Sequence, residues 1–272
     1  MLFIAAVLGA FVLLVNSSTQ SEVSKAPKAT NTKVDSPNQK RSLANKKKKK
    51  VNAQMSNATI AKPLQAYDIV DVSALSKNEI QAYFTIEPIS DEIFSRIYKK
   101  SYKEDCTIPK EDLRYLRVLH VDGEGNTRIG ELIVNKSIAK DIKTIFQKLY
   151  QESYPIEKMI LVDAYDADDN ASMADNNTSS FNYRVVEGTT HLSKHSLGLA
   201  VDINPRYNPY IHTLNGKVVC SPENGCDYQD RNKDFPYKID TSDYAYQLFT
   251  SYGFSWGGSW NSSKDYQHFQ KD

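Results

Sequence analysis

The residues best suited to chemistry lie in one short segment, residues 191–205, with the sequence HLSKHSLGLAVDINP. This segment places His191, His195 and Asp202 within twelve residues. A catalytic zinc uses three protein ligands drawn from His, Asp, Glu or Cys and leaves one position for water. The segment therefore supplies either part of a metal site or a strand with histidines nearby.

Two ligand pairs can be drawn from this segment. His191 and His195 would share one face of a helix, as in the HExxH metalloproteases, but leucine stands where those enzymes need glutamate, and Gly198 ends a helix early. That pair stays open as the metal site of another enzyme class. We favour His195 with Asp202, because Gly198 lets the chain turn closely past a metal. The alternation over residues 199–204 also predicts a strand with Asp202 on the face opposite the core.

The third ligand must come from another part of the chain. His120 falls inside a strand pattern and His212 in a Tyr-rich segment, so both are expected to be structural. His268 follows Asp265 by three residues. We therefore expect His268 to complete the ligand set and Asp265 to take a proton from the metal-bound water.

Three motifs carry a family resemblance. SKHSLGLAVD, residues 193–202, resembles the S-x-H-x-x-G-x-A-x-D motif of the zinc D-alanyl-D-alanine carboxypeptidase family, which includes vancomycin-resistance peptidases and phage L-alanyl-D-glutamate endolysins. DYQHF, residues 265–269, resembles the family's closing E/D-x-x-H motif, and NNTSSFNYR, residues 176–184, resembles its segment with the substrate arginine. The motifs occur in the family's order, and the resemblance extends from about Tyr83 onward.

The resemblance implies a function for five residues. His195, Asp202 and His268 would bind Zn²⁺, Asp265 would be the general base, and Arg184 would hold the substrate's carboxylate or polarise its scissile carbonyl. The implied reaction is hydrolysis of peptidoglycan stem peptides by metal-activated water, most similar to a D-Ala-D-Ala carboxypeptidase.

An alternative from another class is a cell-wall-binding module with a structural or inactive zinc site. A non-catalytic relative could lose its base and keep its fold, whereas this chain has both Asp265 and Arg184, which favours the enzyme. Which peptide bond is cleaved stays open. Ser193, Trp256 and Trp260 either line or brace the site or simply pack in the core.

The elements that must position these residues follow from periodicity. Residues 113–122 and 127–135 flank the turn sequence GEGN and predict a β-hairpin. A helix is predicted from about residue 138 to about 150, with Asn135 or Ser137 as its N-cap, and a second from about Ser242 to Gly253. Residues 156–165 predict another strand, and residues 166–180 a long functional loop.

These elements predict an α+β fold with a small, mainly antiparallel sheet flanked by helices in a single catalytic domain. The resemblance implies that this domain is Hedgehog/DD-peptidase-like. We place it at residues 64–272.

The chain before this domain differs in composition. Residues 2–15 are fourteen apolar residues, typical of a secretory signal and short of the roughly 20 that span a bilayer. No basic residue precedes them and no clear cleavage site follows, so residues 1–15 are a signal peptide or a retained membrane anchor. Residues 16–63 carry eleven Lys and Arg against two acids and predict a disordered basic linker, leaving a charge of about −8 on the rest. Its run 46–50 is either simply solvated or binds anionic lipid or wall polymer.

We therefore expect an extracytoplasmic location in the cell envelope, either secreted or membrane-anchored, with a peptidoglycan peptide as substrate and no nucleic-acid partner. Cys220 and Cys226 flank the turn-prone sequence SPENG and could close a small disulfide in an exported protein, which would leave Cys106 over. No C-x2-C spacing occurs, which argues against a zinc–cysteine site.

Overall fold

A computed structural model describes residues 63–186 and 189–272. The predicted signal or anchor at residues 1–15 lies outside the described residues, as does all but the last residue of the predicted linker. Both remain predictions. In the described ranges, no helix has the length and apolar character needed to cross a membrane.

The described residues form short helices and strands that are interspersed along the chain. The helices are α1 (Lys77–Gln81), α2 (Asp91–Ile97), α3 (Ala139–Gln151), α4 (Asp169–Ala174) and α5 (Tyr244–Ser251). The strands are β1 (Thr85–Pro88), β2 (Leu113–Val121), β3 (Thr127–Asn135), β4 (Ala200–Asp202), β5 (Tyr210–Leu214), β6 (Lys217–Ser221), β7 (Ser255–Trp256), β8 (Lys264–Asp265) and β9 (His268–Gln270). Short 3-10 helices occur at Lys110–Asp112, Val162–Tyr165, Lys194–Leu197, Glu223–Tyr228 and Gly257–Ser259.

The first sheet has the order β1-β2-β3 and is antiparallel throughout. Strands β2 and β3 pair from Leu113↔Asn135 to Val121↔Thr127, which confirms the predicted hairpin. Helix α3 packs its apolar stripe into the main core with these strands; the fully buried members of the stripe are Ile142, Ile145, Phe146 and Leu149.

The predicted N-cap of α3 is wrong. The helix begins at Ala139 with Ile138 in the capping position and no side-chain cap. The side chain of Asn135 instead accepts hydrogen bonds from the backbone N–H and the hydroxyl of Ser137, at 3.0 and 2.8 Å. Both polar residues stabilise the turn before the helix and are therefore not available to cap it.

The second sheet carries the candidate metal ligands. Its order is β4-β9-β7, and its register places Ala200 opposite Gln270 and Asp202 opposite His268. Both faces of β4 are buried: Val201 packs in the core, and Asp202 lies beneath a polar segment that follows α4. The predicted alternation is present, but its polar face is not solvent-exposed.

The third sheet has the order β6-β5-β8 and is also antiparallel. Cys220 at the end of β6 forms a disulfide with Cys226, with an S–S distance of 2.08 Å, so the pairing that the sequence left open is present. Cys106 is free and partly buried.

Two local predictions between α3 and β4 are wrong. Residues 156–165 do not form a regular strand; isolated bridges at Pro155 and Lys158 lead into the 3-10 helix Val162–Tyr165. Residues 166–180 are not a loop throughout, because helix α4, capped by Asp168, lies inside them. The prediction of an α+β fold is confirmed at the level of class, with three small antiparallel sheets in place of one.

Candidate metal centre

Three of the predicted ligands converge at one point. His195 Nε2 lies 3.2 Å from the Asp202 carboxylate and 3.1 Å from His268 Nδ1, and His268 Nδ1 lies 3.1 Å from the other Asp202 oxygen. All three side chains are buried. His191 is exposed and does not belong to this cluster.

Local structure fixes His195 in one orientation. It lies in the 3-10 helix Lys194–Leu197, whose first turn is capped by the hydroxyl of Ser193. Gly198 follows with a positive φ of 66°, and a side chain there would collide with the backbone of Asn135. His195 Nδ1 donates to the carbonyl oxygen of Ser180 at 2.6 Å, so Nε2 is the nitrogen that faces the cluster.

His268 faces the cluster through its other nitrogen. It is opposite Asp202 in the β4–β9 register, so the ladder brings the two side chains together. Its Nε2 is 2.9 Å from the side-chain oxygen of Gln270 and donates to it, which leaves Nδ1 toward Asp202 and His195. A hydrogen bond to the far ring nitrogen is the usual way in which a protein fixes the tautomer of a metal-binding histidine.

The donor set fits a metal ion. Because both histidines donate through their outer nitrogens, their inner nitrogens carry lone pairs when the rings are neutral, and these point at each other and at a carboxylate. Such an arrangement is repulsive unless a cation or additional protons lie among the three groups. Tetrahedral zinc with bonds of about 2.0–2.1 Å would separate its ligand atoms by about 3.3 Å, close to the 3.1–3.2 Å seen here.

The pKa values of the cluster also reflect the close approach of the two imidazoles and the carboxylate. Burial would raise the pKa of Asp202, but the charges and hydrogen bonds of His195 and His268 outweigh it and hold that pKa well below its usual range. Burial would lower the pKa of His268, but Asp202 raises it to about 9.

Asp265 lies beside the cluster without a partner for one of its oxygens. Its Oδ1 is buried and has no hydrogen-bond partner in the described part of the chain. Burial raises its pKa to about 7. A side chain on Gly257 would come within 2.7 Å of the Asp265 Cβ and 3.3 Å of the His268 Cβ, so this glycine allows the close approach of the Gly257–Ser259 turn to both residues.

Arg184 is held at the edge of the site through its backbone. Its N–H donates to the Ser196 hydroxyl at 2.7 Å, and its carbonyl accepts from the Ser193 N–H at 3.0 Å, which connects it to the turn that carries His195. Its guanidinium forms an ion pair with Asp169 at the start of α4, and its Nε is buried with no hydrogen-bond partner among the described residues. The arginine is therefore preset by protein contacts.

The three remaining candidates, Ser193, Trp256 and Trp260, have different roles. Ser193 is buried and caps the His195 turn. Trp256 is buried and donates its indole N–H to the Tyr266 carbonyl at 2.9 Å, so it packs in the core. Trp260 is partly exposed, and its ring lies 5.4 Å from the His268 ring, so it lines the site.

Sequence reasoning missed the two residues that orient the histidines. Ser180 acts through its backbone carbonyl, and no side-chain pattern reports that. Gln270 had a signal, because a residue two positions after His268 in a strand lies on the same face. Asp169 was also missed, since nothing in its spacing connects it to Arg184.

Two imidazoles and a carboxylate around one point, with a further carboxylate beside them, could hold a metal ion and are the donor types that mononuclear metal hydrolases use. Residues 187–271 match the family model described as D-alanyl-D-alanine carboxypeptidase, which contains the cluster and Asp265. The predicted resemblance to the zinc D-alanyl-D-alanine carboxypeptidase family is confirmed over these residues. No curated protein and no solved structure matches the chain.

Proposed function

We propose that this protein is a zinc-dependent peptidase that hydrolyses peptidoglycan stem peptides, most similar in reaction to a D-Ala-D-Ala carboxypeptidase. The observation that carries the proposal is the convergence of His195, Asp202 and His268 at 3.1–3.2 Å, with Asp265 beside them. The family match supports both the peptidase activity and the substrate class.

The metal ligands and the base have separate roles. Zinc held by the three ligands would supply a coordinated water with a pKa near 7 and would polarise the scissile carbonyl. Asp265 accepts the proton of the attacking water and delivers it to the leaving amine, so that one peptide bond and one water yield a carboxylate and an amine. Burial raises the pKa of Asp265 to about 7, and a bound dication would lower this pKa and keep the carboxylate ionised.

Arg184 would act on the substrate. Its guanidinium would hold a carboxylate of the substrate or stabilise the developing oxyanion. The Asp169 carboxylate keeps its head group in place before substrate arrives.

The proposed location is outside the cytoplasm. The Cys220–Cys226 disulfide supports it, since such bonds persist mainly in oxidising compartments. A single Hedgehog/DD-peptidase-like domain over residues 64–272 is the matching proposal for the fold.

The test is hydrolysis of purified wall peptides, with the fragments read by mass spectrometry. We expect the zinc-loaded wild-type protein to release D-alanine from a stem peptide ending in D-Ala-D-Ala. The matched control is Asp265→Ala, which keeps the ligand set. Fragments from wild type and none from the control support the proposal, whereas binding without cleavage by the zinc-loaded wild type would favour the wall-binding module.

A further inference from the structure

Strands β5 and β6 form a hairpin whose outer half projects into solvent. Every residue from Thr213 to Val218 is exposed. Two large apolar side chains lie in this half: Leu214 is 56% exposed and Val218 is 60% exposed. The hairpin therefore offers surface that the fold itself does not use.

One face of this hairpin is continuous with Asp265. Tyr210 is directly opposite Asp265 in the β5–β8 register, and directly opposed residues share a face of the sheet. Since side chains alternate along a strand, His212 and Leu214 follow Tyr210 on that face. The base-side face, as we call it, consists of Tyr210, His212 and Leu214 on β5 and of Lys217 and Val219 opposite them on β6.

The other face of the hairpin is used for structure. Ile211 and Cys220 are paired there, and the disulfide from Cys220 fixes this face to the turn that follows β6. Farther out, Thr213 and Val218 are paired on the same face. These two residues share the hairpin with the base-side face but point away from it.

The base-side face changes in character along its length. Next to Asp265, the rings of Tyr210 and His212 stack with centroids 4.7 Å apart and planes within 17°. His212 Nδ1 is buried and has no hydrogen-bond partner among the described residues. Farther out lie the apolar Leu214 and, opposite it, the ammonium group of Lys217. A flat aromatic surface followed by an apolar and a cationic group suits an extended peptide that bears a carboxylate.

The length of the face sets what it can hold. Tyr210 and Leu214 are four residues apart, which corresponds to about 14 Å at about 3.4 Å per residue. An extended substrate running along the strand from the scissile bond would cover this distance with about four residues. Its carboxylate would then meet Lys217.

We propose that the base-side face is an extended subsite for the part of an acidic peptide substrate that lies beyond the residues at the scissile bond. The inference rests on the proposed peptidase function, and its support is the continuity of this face with Asp265. The Tyr210–His212 stack would hold the peptide backbone, and Lys217 would bind a side-chain carboxylate.

The test compares a short and a long substrate on the full-length zinc-loaded protein. The short one is the dipeptide D-Ala-D-Ala, and the long one is a pentapeptide stem with the same ending, its side carboxylates free or amidated. His212→Ala should lower the ratio of kcat/KM for the long over the short substrate by about three- to tenfold, mainly through KM. Lys217→Ala should lower it only for the peptide with free carboxylates. Thr213→Ala and Val218→Ala, on the opposite face, should leave the ratio as in wild type.

The experiment distinguishes failure of the proposed peptidase function from failure of the proposed subsite. A wild-type protein that cleaves neither peptide overturns the proposed function, and the subsite is then decided by the affinity for the pentapeptide measured by calorimetry. Equal long-to-short ratios, or equal affinities, for His212→Ala and Thr213→Ala overturn the subsite. Thermal melting and zinc content of each variant must match wild type, so that lost folding is not counted as lost binding.

Discussion

Two buried polar clusters in this protein have opposite characters. In the β1–β3 sheet, Glu131 accepts hydrogen bonds from the Arg96 guanidinium and from the Tyr115 hydroxyl, the latter at 2.6 Å. Every charge there meets an opposite charge or a donor. In the β4–β9–β7 sheet, by contrast, one nitrogen each of His195 and His268 and the Asp202 carboxylate lie 3.1–3.2 Å apart, and all three groups are acceptors when the imidazoles are neutral.

This difference in hydrogen-bond partners distinguishes a buried polar cluster that supports the fold from one suited to binding a ligand. A buried polar group that finds its partners in the protein adds specificity or stability and needs nothing more. A buried acceptor that faces other acceptors lacks a favourable partner in the protein, which points to a bound ligand such as a metal ion. The predictions below use this contrast, beginning with the largest effect.

Asp202→Ala should remove both metal and activity. Two histidines alone make a weak zinc site, so we expect zinc to be lost and turnover to fall by more than about 10⁴-fold. Zinc analysis and peptide hydrolysis on the same preparation measure this. The matched control is Glu131→Gln in the satisfied cluster, which should keep one zinc per chain. If both variants retain zinc, the contrast between the clusters fails.

Asp265→Ala should separate catalysis from metal binding. Asp265 is assigned to the water and not to the metal, so zinc should stay bound while kcat falls by about 10² to 10⁴. KM should change less, because in the proposed mechanism zinc and Arg184 bind the substrate. A variant with near-normal kcat, or one without zinc, would mean that the base is misassigned.

Glu131→Ala should cost stability and spare the metal. Removing one partner of a buried ion pair typically costs 3–5 kcal/mol, and since Arg96 is partly exposed and can turn to solvent, we expect about 3 kcal/mol. Denaturant unfolding at fixed zinc concentration gives the value. Loss of zinc from the folded variant would show that the two clusters are not independent.

His120 tests the contrast between buried histidines through pH. Burial lowers its pKa to about 4, whereas that of His268 is raised to about 9. An unfolded histidine titrates near 6.5, so His120 binds a proton in the unfolded chain first, and stability should fall as pH drops from about 6.5 to about 4, by up to about 3 kcal/mol. His120→Asn keeps a donor for the Ile156 carbonyl but cannot titrate. The difference in unfolding free energy between wild type and this variant should carry that pH dependence, and parallel curves would contradict it.

Asp169→Asn should give the smallest effect. The amide keeps the shape but loses the charge that holds the Arg184 guanidinium, so we expect kcat/KM to fall about tenfold with unchanged zinc. Asp169→Glu should restore most of the activity if the residue acts by positioning the arginine. Equal activity of the Asn, Glu and wild-type proteins would assign Asp169 to structure alone.

The features that the sequence predicted correctly are those that depend on side-chain type and on spacing over a few residues. The hairpin over residues 113–135 and the apolar stripe of α3 show strong periodicity, and the motifs named the three residues that converge in the structure. The strand predicted for residues 156–165 is absent because an apolar run becomes a strand only if a sheet edge is available to pair with it. Ser180 was not predictable because its contribution is a backbone carbonyl placed by the fold.

The pairing of β4 with β9 also determines when the candidate metal site can form during folding. Asp202 and His268 are 66 residues apart, and a slip of one residue in their register would turn His268 to the opposite face of the sheet. Pairings between such distant segments form slowly, so a refolding chain acquires its ligand set late. The time at which zinc binds would then report when this sheet has formed. Because the ligand set forms late, added zinc would slow unfolding more than it would speed folding.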